Sequence, residues 1–340
     1  VLITLLVGLL SGLTAGLGQQ NVSAITGLPA DMIAFAAPGK GEKPSFANST
    51  IAEKQWQQWA TTPGVKRAQP LGITTTKATA GTRSTAVSAF GVQPGSTLAT
   101  ATDQIGEHAA VLSVTAAENL GVARGDTFTL AGQQVSVAAV SGDASYSHTP
   151  VIWTSLDLWQ KLAPATDAND GPTATVIALN ITSGADVQAA DAAAGTRTVS
   201  TADSLSAIGS YTSENGSLQL MRGFLFAISA LVIGAFFTVW TIQRSGDVAV
   251  LKALGASTAN LLKDALGQAV VLLTGGTLLG TALAAGLGAL VAGAAVPFLL
   301  TPTTILVPAA VMIALGALGA ALSIRRITSV DPLTALGSAR

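Results

Sequence analysis

The chain has 340 residues, of which 49% are hydrophobic and only 10% charged, with a formal net charge of −1. Soluble globular domains carry about a quarter charged residues, so this composition belongs to a chain partly embedded in lipid. Cysteine is absent, which removes disulfide frameworks and thiolate metal sites, and no basic tract of the size nucleic acid requires is present. The charge is divided unevenly: residues 18–219 hold 10 Lys/Arg against 15 Asp/Glu, and the remainder holds 7 against 3. A mildly acidic, water-exposed segment is thus flanked by sparse, mostly positive, apolar sequence.

Residues 1–17, VLITLLVGLLSGLTAGL, are apolar and uncharged. They lack the basic start of a signal peptide and read as the later part of a first transmembrane helix. Gly8, Gly12 and Gly16 recur every four residues, a spacing that lets a second helix approach closely. Gln19, Gln20 and Asn21 mark the outer end of this helix.

Residues 18–219 alternate short strand and helix patterns, which predicts an α+β domain. Ile51 to Gly64 reads as a helix stopped by Pro63-Gly64. Thr- and Val-rich strands follow, then AAVLS (strand) and VTAAENL (helix) between Ala109 and Leu120. GVARGDTFTLAGQQVSVAAVSG reads as a hairpin with turns at Gly125-Asp126 and Gly132-Gln133. Val151 to Leu162 begins as a strand and ends as a helix capped by Thr154 or Ser155. TATVIALNI is a further strand, with a helix over Ala185 to Ala194. DANDGP, Asp167 to Pro172, lacks the oxygen ligands and closing Glu of a calcium loop and reads as a solvated turn. Ser204 to Gln219 reads as a helical stalk.

Residues 220–242, LMRGFLFAISALVIGAFFTVWTI, are long and apolar enough to cross the roughly 30 Å hydrocarbon core of a bilayer. A charge-bearing loop occupies 243–264, with Gly255 at a turn and Ser257 at a helix N-cap. Further membrane helices span 265–292 and 303–324, and a tail covers 325–340. Arg244, Lys252 and Lys263 lie between helices two and three, and Arg325, Arg326 and Arg340 follow helix four. Lys and Arg are retained in the cytoplasm, so the 243–264 loop and the tail are expected inside and residues 18–219 outside. The expected fold is an α-helical membrane protein with four transmembrane helices and an α+β extracytoplasmic domain inserted between helices one and two.

VAVLKALGAS (Val248 to Ser257), placed directly after a membrane helix, ITSVDPLTAL (Ile327 to Leu336), and VLSVTAAENLGVARGDTFTLAGQQVSVAAVSG (Val111 to Gly142) together resemble the MacB/FtsX-type (type VII) permease subunits of ABC transporters. The short outer domain and the opening VLITLLVGLLSGLTAGLGQQN are most similar to the haem-exporter permeases of Gram-positive bacteria. The resemblance implies a homodimer of permeases in membrane lipid, bound to two cytoplasmic ABC ATPase subunits that carry ATP and Mg. It implies haem as transported substrate, taken laterally from the membrane, with no intrinsic cofactor. The family's cytoplasmic amphipathic N-terminal segment does not precede Val1 in this numbering. FtsX-like signalling to a cell-wall hydrolase, or export of a peptide, drug or lipid, are the alternatives.

No GxxxxGK[ST] loop is present, so energy has to come from a partner, and no nucleophile–base pair marks the chain as an enzyme. Arg244, Lys252, Leu254, Gly255 and Lys263 are the expected ATPase-coupling residues. Arg222 lies near the outer end of helix two, where a charge is costly unless it pairs or snorkels to the interface. It serves either as an interfacial anchor or, with haem as substrate, as the partner of a propionate. Gln19, Tyr211, Glu214, Met221 and Phe224 complete the expected substrate site, with Glu214 and Met221 as candidate haem-iron ligands beside Tyr211. His108 and His148 are distant along the chain and are not expected to take part.

Overall fold

The structure, a computed structural model, describes residues 1–99, 101–163, 171–243, 246, 250–251, 254–291 and 297–328. Two compact units emerge: Gly18–Asn215, and a second formed by Val1–Leu17 with Gly216–Arg340.

The Gly18–Asn215 unit is built on one large sheet. Its strands are β1 (Met32–Ala36), β3 (Val65–Ala80), β4 (Arg83–Val92), β5 (Ala109–Leu112), β6 (Thr127–Leu130), β7 (Gln133–Val140), β8 (Ser145–Tyr146), β9 (Thr149–Ser155), β11 (Val176–Ile181) and β12 (Thr196–Ser200). A separate pair joins β2 (Ile51–Ala52) to β10 (Thr173–Ala174). The order β12-β1-β11-β3-β4-β9-β5-β7-β6 is followed by a return pairing of β6 with β3 at Ala78 and Thr79, so six strands close into a ring. β3 makes this possible through its length: residues 65–71 pair with β11, and residues 71–80 pair with β4.

Helices cover the sheet where the sequence supplies a cap. α2 (Glu53–Ala60) buries Trp56 and Trp59. α3 (Val114–Leu120) starts at Ser113, whose hydroxyl accepts from the Ala116 N–H, and stops at Gly121 with φ 67°. α4 (Leu156–Leu162) is capped by Ser155 rather than Thr154. α5 (Val187–Ala194) and α6 (Thr201–Ser204) follow. The expected stalk helix does not start at Ser204: Ser200 caps α6, and the chain turns again before α7 (Gly209–Gln243). The expected turn at Asp167–Pro172 lies mostly outside the described residues.

Trp159 of α4 lies across a pair of glycines. Gly72 and Gly91 stand opposite each other in the β3–β4 ladder, and a Cβ on either would enter the indole. On the other face, Phe35, Phe46, Tyr146, Phe90 and Trp153 form an edge-to-face chain with ring centroids 4.8–5.8 Å apart. Burial raises the Tyr146 phenol above its ordinary value of 10.0. The neutral phenol is therefore favoured in the folded chain, whereas the unfolded chain ionises first. The associated stability is complete below about pH 10 and is lost as pH rises above it. Thermal unfolding from about pH 8 to about pH 11 is expected to show an alkaline decline that is shallower in Tyr146→Phe.

Among the described residues, four helices are long and apolar enough to cross a membrane: Leu2–Thr26, Gly209–Trp240, Leu266–Leu290 and Pro302–Gly319. The first is α1 (Leu2–Thr26), the third lies in α8 (Thr258–Val291) and the fourth in α9 (Pro302–Thr328). The glycines of α1 are spaced for close packing, and they are closely packed. A Cβ on Gly8 would stand 2.8 Å from the Ala284 Cβ, one on Gly12 would enter the Phe298 ring, and one on Gly16 would strike the Pro297 backbone. α8 answers with the same period, Gly280, Ala284 and Gly288, and a Cβ on Gly280 would stand 2.8 Å from the Thr4 side chain. Small residues facing one another let dispersion act over short distances where lipid offers no hydrophobic drive.

Candidate functional site

Two helices enter the Gly18–Asn215 unit, and they meet at one hairpin turn. α1 continues past Leu17 to Thr26 and buries Ala24 and Ile25 in the aromatic-lined core. α7 begins at Gly209 after Ala207 and Ile208, which join the same core. The turn is Ser147–His148, which links β8 to β9 through the pairs Ser145–Pro150 and Tyr146–Thr149.

Both turn residues have left-handed backbones, with φ 48° at Ser147 and 62° at His148. A two-residue turn of this kind favours Asn-Gly or Gly-Gly, since a Cβ in this region costs roughly 1–2 kcal/mol per residue. The contacts that hold it are on the two helices. The Ser147 N–H donates to the Asn21 carbonyl at 2.9 Å and the His148 N–H to the Gln20 carbonyl at 3.2 Å. The Ser147 and Ser210 hydroxyls are 2.8 Å apart, and His148 Nε2 lies 2.7 Å from Glu214 Oε2. Four bonds at about 0.5–1.5 kcal/mol each are of the same size as the strain.

Asn21 is the hub of this cluster and is 1% exposed. Its Oδ1 accepts from Ser210 Oγ at 2.7 Å, and its Nδ2 donates to Glu214 Oε2 at 3.3 Å. Nδ2 also lies 3.2 Å from His148 Nε2. Glu214 accepts from both neighbours, so Nε2 carries the hydrogen and its approach to Nδ2 is a contact between two donors. The side chains of His148 and Glu214 are 29% and 44% exposed, so the pair itself is worth about 0–1 kcal/mol. Its importance lies in fixing where the turn sits against the start of α7.

The expected site residues separate here. Glu214 is in the cluster, and Tyr211 packs against the adjoining core. Gln19 is exposed, whereas its neighbour Asn21 supplies the buried amide. Met221 and Phe224 are exposed on α7, and Arg222 is partly buried with no ion pair to a described residue. One helical turn is 3.6 residues, so Tyr211, Glu214, Met221 and Arg222 share one stripe of α7, with Phe224 beside it. His148, distant along the chain, is carried to Glu214 by the β8–β9 hairpin. Its dipeptide, Ser-His, has none of the Gly, Asn or Asp that signal a two-residue left-handed turn.

Among the coupling residues, Arg244 and Lys252 lie outside the described residues. Leu254 and Lys263 are exposed, Gly255 has φ 94°, and the Ser257 hydroxyl accepts from the Asn260 N–H at 3.2 Å to cap α8. Among the described residues no group of three or more His, Cys, Asp or Glu could hold a metal ion.

Residues 220–332 match the family described as FtsX-like permease C-terminal, and residues 1–197 match the MacB-like periplasmic core domain. A protein of Staphylococcus haemolyticus named as a hemin transport system permease, HrtB, is 36% identical over 130 residues, which is 38% of this chain and 37% of that one. A Staphylococcus epidermidis protein of the same name is 32% identical over 146 residues, 42% of this chain and 41% of that one. The matched segment thus spans well under half the length of these relatives. An uncharacterised ABC transporter permease of Mycobacterium bovis is 25% identical over 338 residues, covering 96% of this chain and 90% of that one. The periplasmic region of MacB from Actinobacillus actinomycetemcomitans is similar over 54% of this chain and 94% of its own, at 12% identity and a TM-score of 0.38.

Proposed function

The chain belongs to the FtsX-like permeases with a MacB-like periplasmic core domain, and from that premise we propose that it is the membrane subunit of an ATP-driven ABC efflux pump whose cargo is haem. One observation carries the mechanical part: the ends of α1 and α7, each continuous with an apolar span, are tied to the same strained turn. A displacement of either helix end therefore reaches β9 and the sheet without passing through a flexible loop.

In this reading the Gly18–Asn215 unit lies outside, two permease copies pair within the lipid, and two cytoplasmic ATPases with their ATP and Mg engage residues 243–264, whose last seven form the start of α8. Haem enters from the membrane beside the α7 stripe. Arg222 faces a propionate, Phe224 offers an apolar surface, and Met221 or Tyr211 supplies the iron donor. Glu214 is already held by His148 and Asn21, which makes it the less available ligand of the three. The partial similarity to proteins named as hemin permeases supports this cargo.

An absorbance titration of the purified chain with haem tests it. The chain is expected to give a saturable Soret change that Arg222→Ala with Glu214→Ala weakens about tenfold or more, the size of one lost charged contact. His148→Ala separates the two roles of Glu214: it should leave the titration unchanged if the loss comes from ligand contacts. An unaltered titration in the double variant, or no saturable change at all, would shift the cargo to a peptide, drug or lipid. It would also favour a signalling role towards a cell-wall hydrolase.

A further inference from the structure

Among the described residues, β3 has a strand on only one side over part of its length. β11 pairs with it as far as Leu71, and β6 pairs with it at Ala78 and Thr79. Between these two, β4 continues along one side, and a cavity of about 570 Å³ opens at Ile73, Thr74 and Thr75, beside the β2–β10 pair. Its walls come from both faces of the sheet. Phe46, Tyr146 and Ile208 belong to the core on the side of Ile73, whereas Trp159, which lies against Gly72, is on the side of Thr74. The cavity therefore wraps the edge of β3 rather than resting on one face. Among the described residues no charged side chain contributes to its walls.

The backbone bonds of β3 define what that edge offers. Thr175 Oγ1 accepts from the Ile73 N–H at 2.8 Å and donates to the Ile73 carbonyl at 3.2 Å. Further along, the Ala131 N–H donates to the Lys77 carbonyl at 3.0 Å. Ile73 and Lys77 thus turn backbone polar groups away from β4, and in an antiparallel ladder these directions alternate residue by residue. Thr75, midway between them, turns its N–H and C=O the same way, and no described residue pairs with them there. At Ile73 a single hydroxyl already imitates a neighbouring strand, as both donor and acceptor. From Ile73 to Lys77 the edge runs about 13 Å, space for about three or four residues of an added strand.

We propose that this slot binds an extended, uncharged peptide segment, which adds to β3 as a short strand through the Thr75 N–H and C=O. Strand addition takes its affinity from the main chain and its selectivity from alternate side chains. Successive side chains of such a peptide point to opposite faces. Every second one meets the apolar wall of Phe46, Tyr146 and Ile208, and the others meet Trp159 and Ala163. Charged side chains are disfavoured, because they would lose water with no opposite charge to face. Ser147 and Ser210, the hydroxyl pair that ties the turn to α7, also line the cavity, so an occupant touches the joint between the sheet and the stalk.

The probe is the blocked peptide acetyl-Thr-Val-Thr-Val-Thr-amide, with full-length protein in detergent. Equilibrium dialysis is expected to show saturable binding, and amide deuterium exchange is expected to slow at residues 73–77. Two methylated peptides test the alternation. In a strand the valine and threonine N–H groups face opposite ways, so N-methylation of one set should weaken binding about tenfold or more and of the other set should change it little. Thr75→Pro removes an N–H that points away from β4, a change an edge strand tolerates. It is expected to weaken binding about twofold to tenfold, the worth of one neutral hydrogen bond. Non-saturating uptake, equal weakening by the two methylated peptides, or undiminished binding in a folded Thr75→Pro would overturn the assignment. If Thr75→Pro does not fold, the two methylated peptides on the unsubstituted chain decide. Haem plays no part in these measurements, so either reading can fail alone.

Discussion

In the proposed pump, Asn21→Leu is expected to reduce export at least tenfold while ATP hydrolysis by the assembled complex continues. Asn21 is buried and serves both helix ends at once, through Ser210 and Glu214. A leucine of similar size fills the space but leaves both partners short of a bond. Each polar group deprived of its partner costs about 1–3 kcal/mol. That loss is comparable to the roughly 1–2 kcal/mol per residue stored in the left-handed turn, so the turn relaxes and the helix ends lose their common anchor. The measurement pairs cargo export in cells with ATPase activity of the purified complex. Asn21→Asp should also fail, since it sets a carboxylate against Glu214, and adding Glu214→Gln should restore much of the function by returning an amide to the pair. Wild-type export from Asn21→Leu would show that the turn is not the joint.

Gly72→Val is expected to unfold the outer domain or lower its melting temperature severely. The Cβ would enter the Trp159 ring, which is fixed from the neighbouring strand by Gly91. A single added methylene in a close-packed interior costs typically about 1–3 kcal/mol, and a branched side chain against an immobile ring exceeds that. The milder Gly72→Ala gives a measurable series: its destabilisation should shrink when combined with Trp159→Leu, because residues sharing one space are not additive. Thermal unfolding followed by circular dichroism of the full chain provides the numbers. Additive effects in that double variant would mean that the glycine is needed for another reason.

Much of the outer domain was legible because its signals are local. Ser113 and Ser155 announce helices one residue later, and Gly121 ends one, since a cap needs only its own turn of backbone. β3 and β4 follow from Thr/Val content, but their ring closure through β6 does not, because pairing of distant strands leaves no local mark. The stalk helix, expected from Ser204, starts at Gly209, since small polar residues fit a cap, a turn or a helix equally well.

The candidate site was legible only in part. Polar residues at the outer ends of the first two spans stood out, and Glu214 among them does meet a neighbour from the first helix. Gln19 is the residue expected there, yet it lies two positions, about 200° of helix, from the buried Asn21, and sequence cannot say which side of a helix end faces inward. The backbone and ring of His148 are placed by contacts with residues more than sixty positions away, which leave no mark in the local sequence. The α8 series Gly280, Ala284 and Gly288 gains meaning only once Gly8 is found against it.

Sequence by itself determined the four apolar spans, the α+β domain between the first and second, and the lack of cysteine chemistry. Each depends on composition or on periodicity within a single segment, where the energy of burial or of backbone satisfaction is decided residue by residue. Only the tertiary structure decided that a strained Ser-His turn joins two helix ends and that two glycines make room for Trp159. These depend on which distant atoms fall within a few ångströms of one another, and short-range steric and hydrogen-bond forces act on that distance alone.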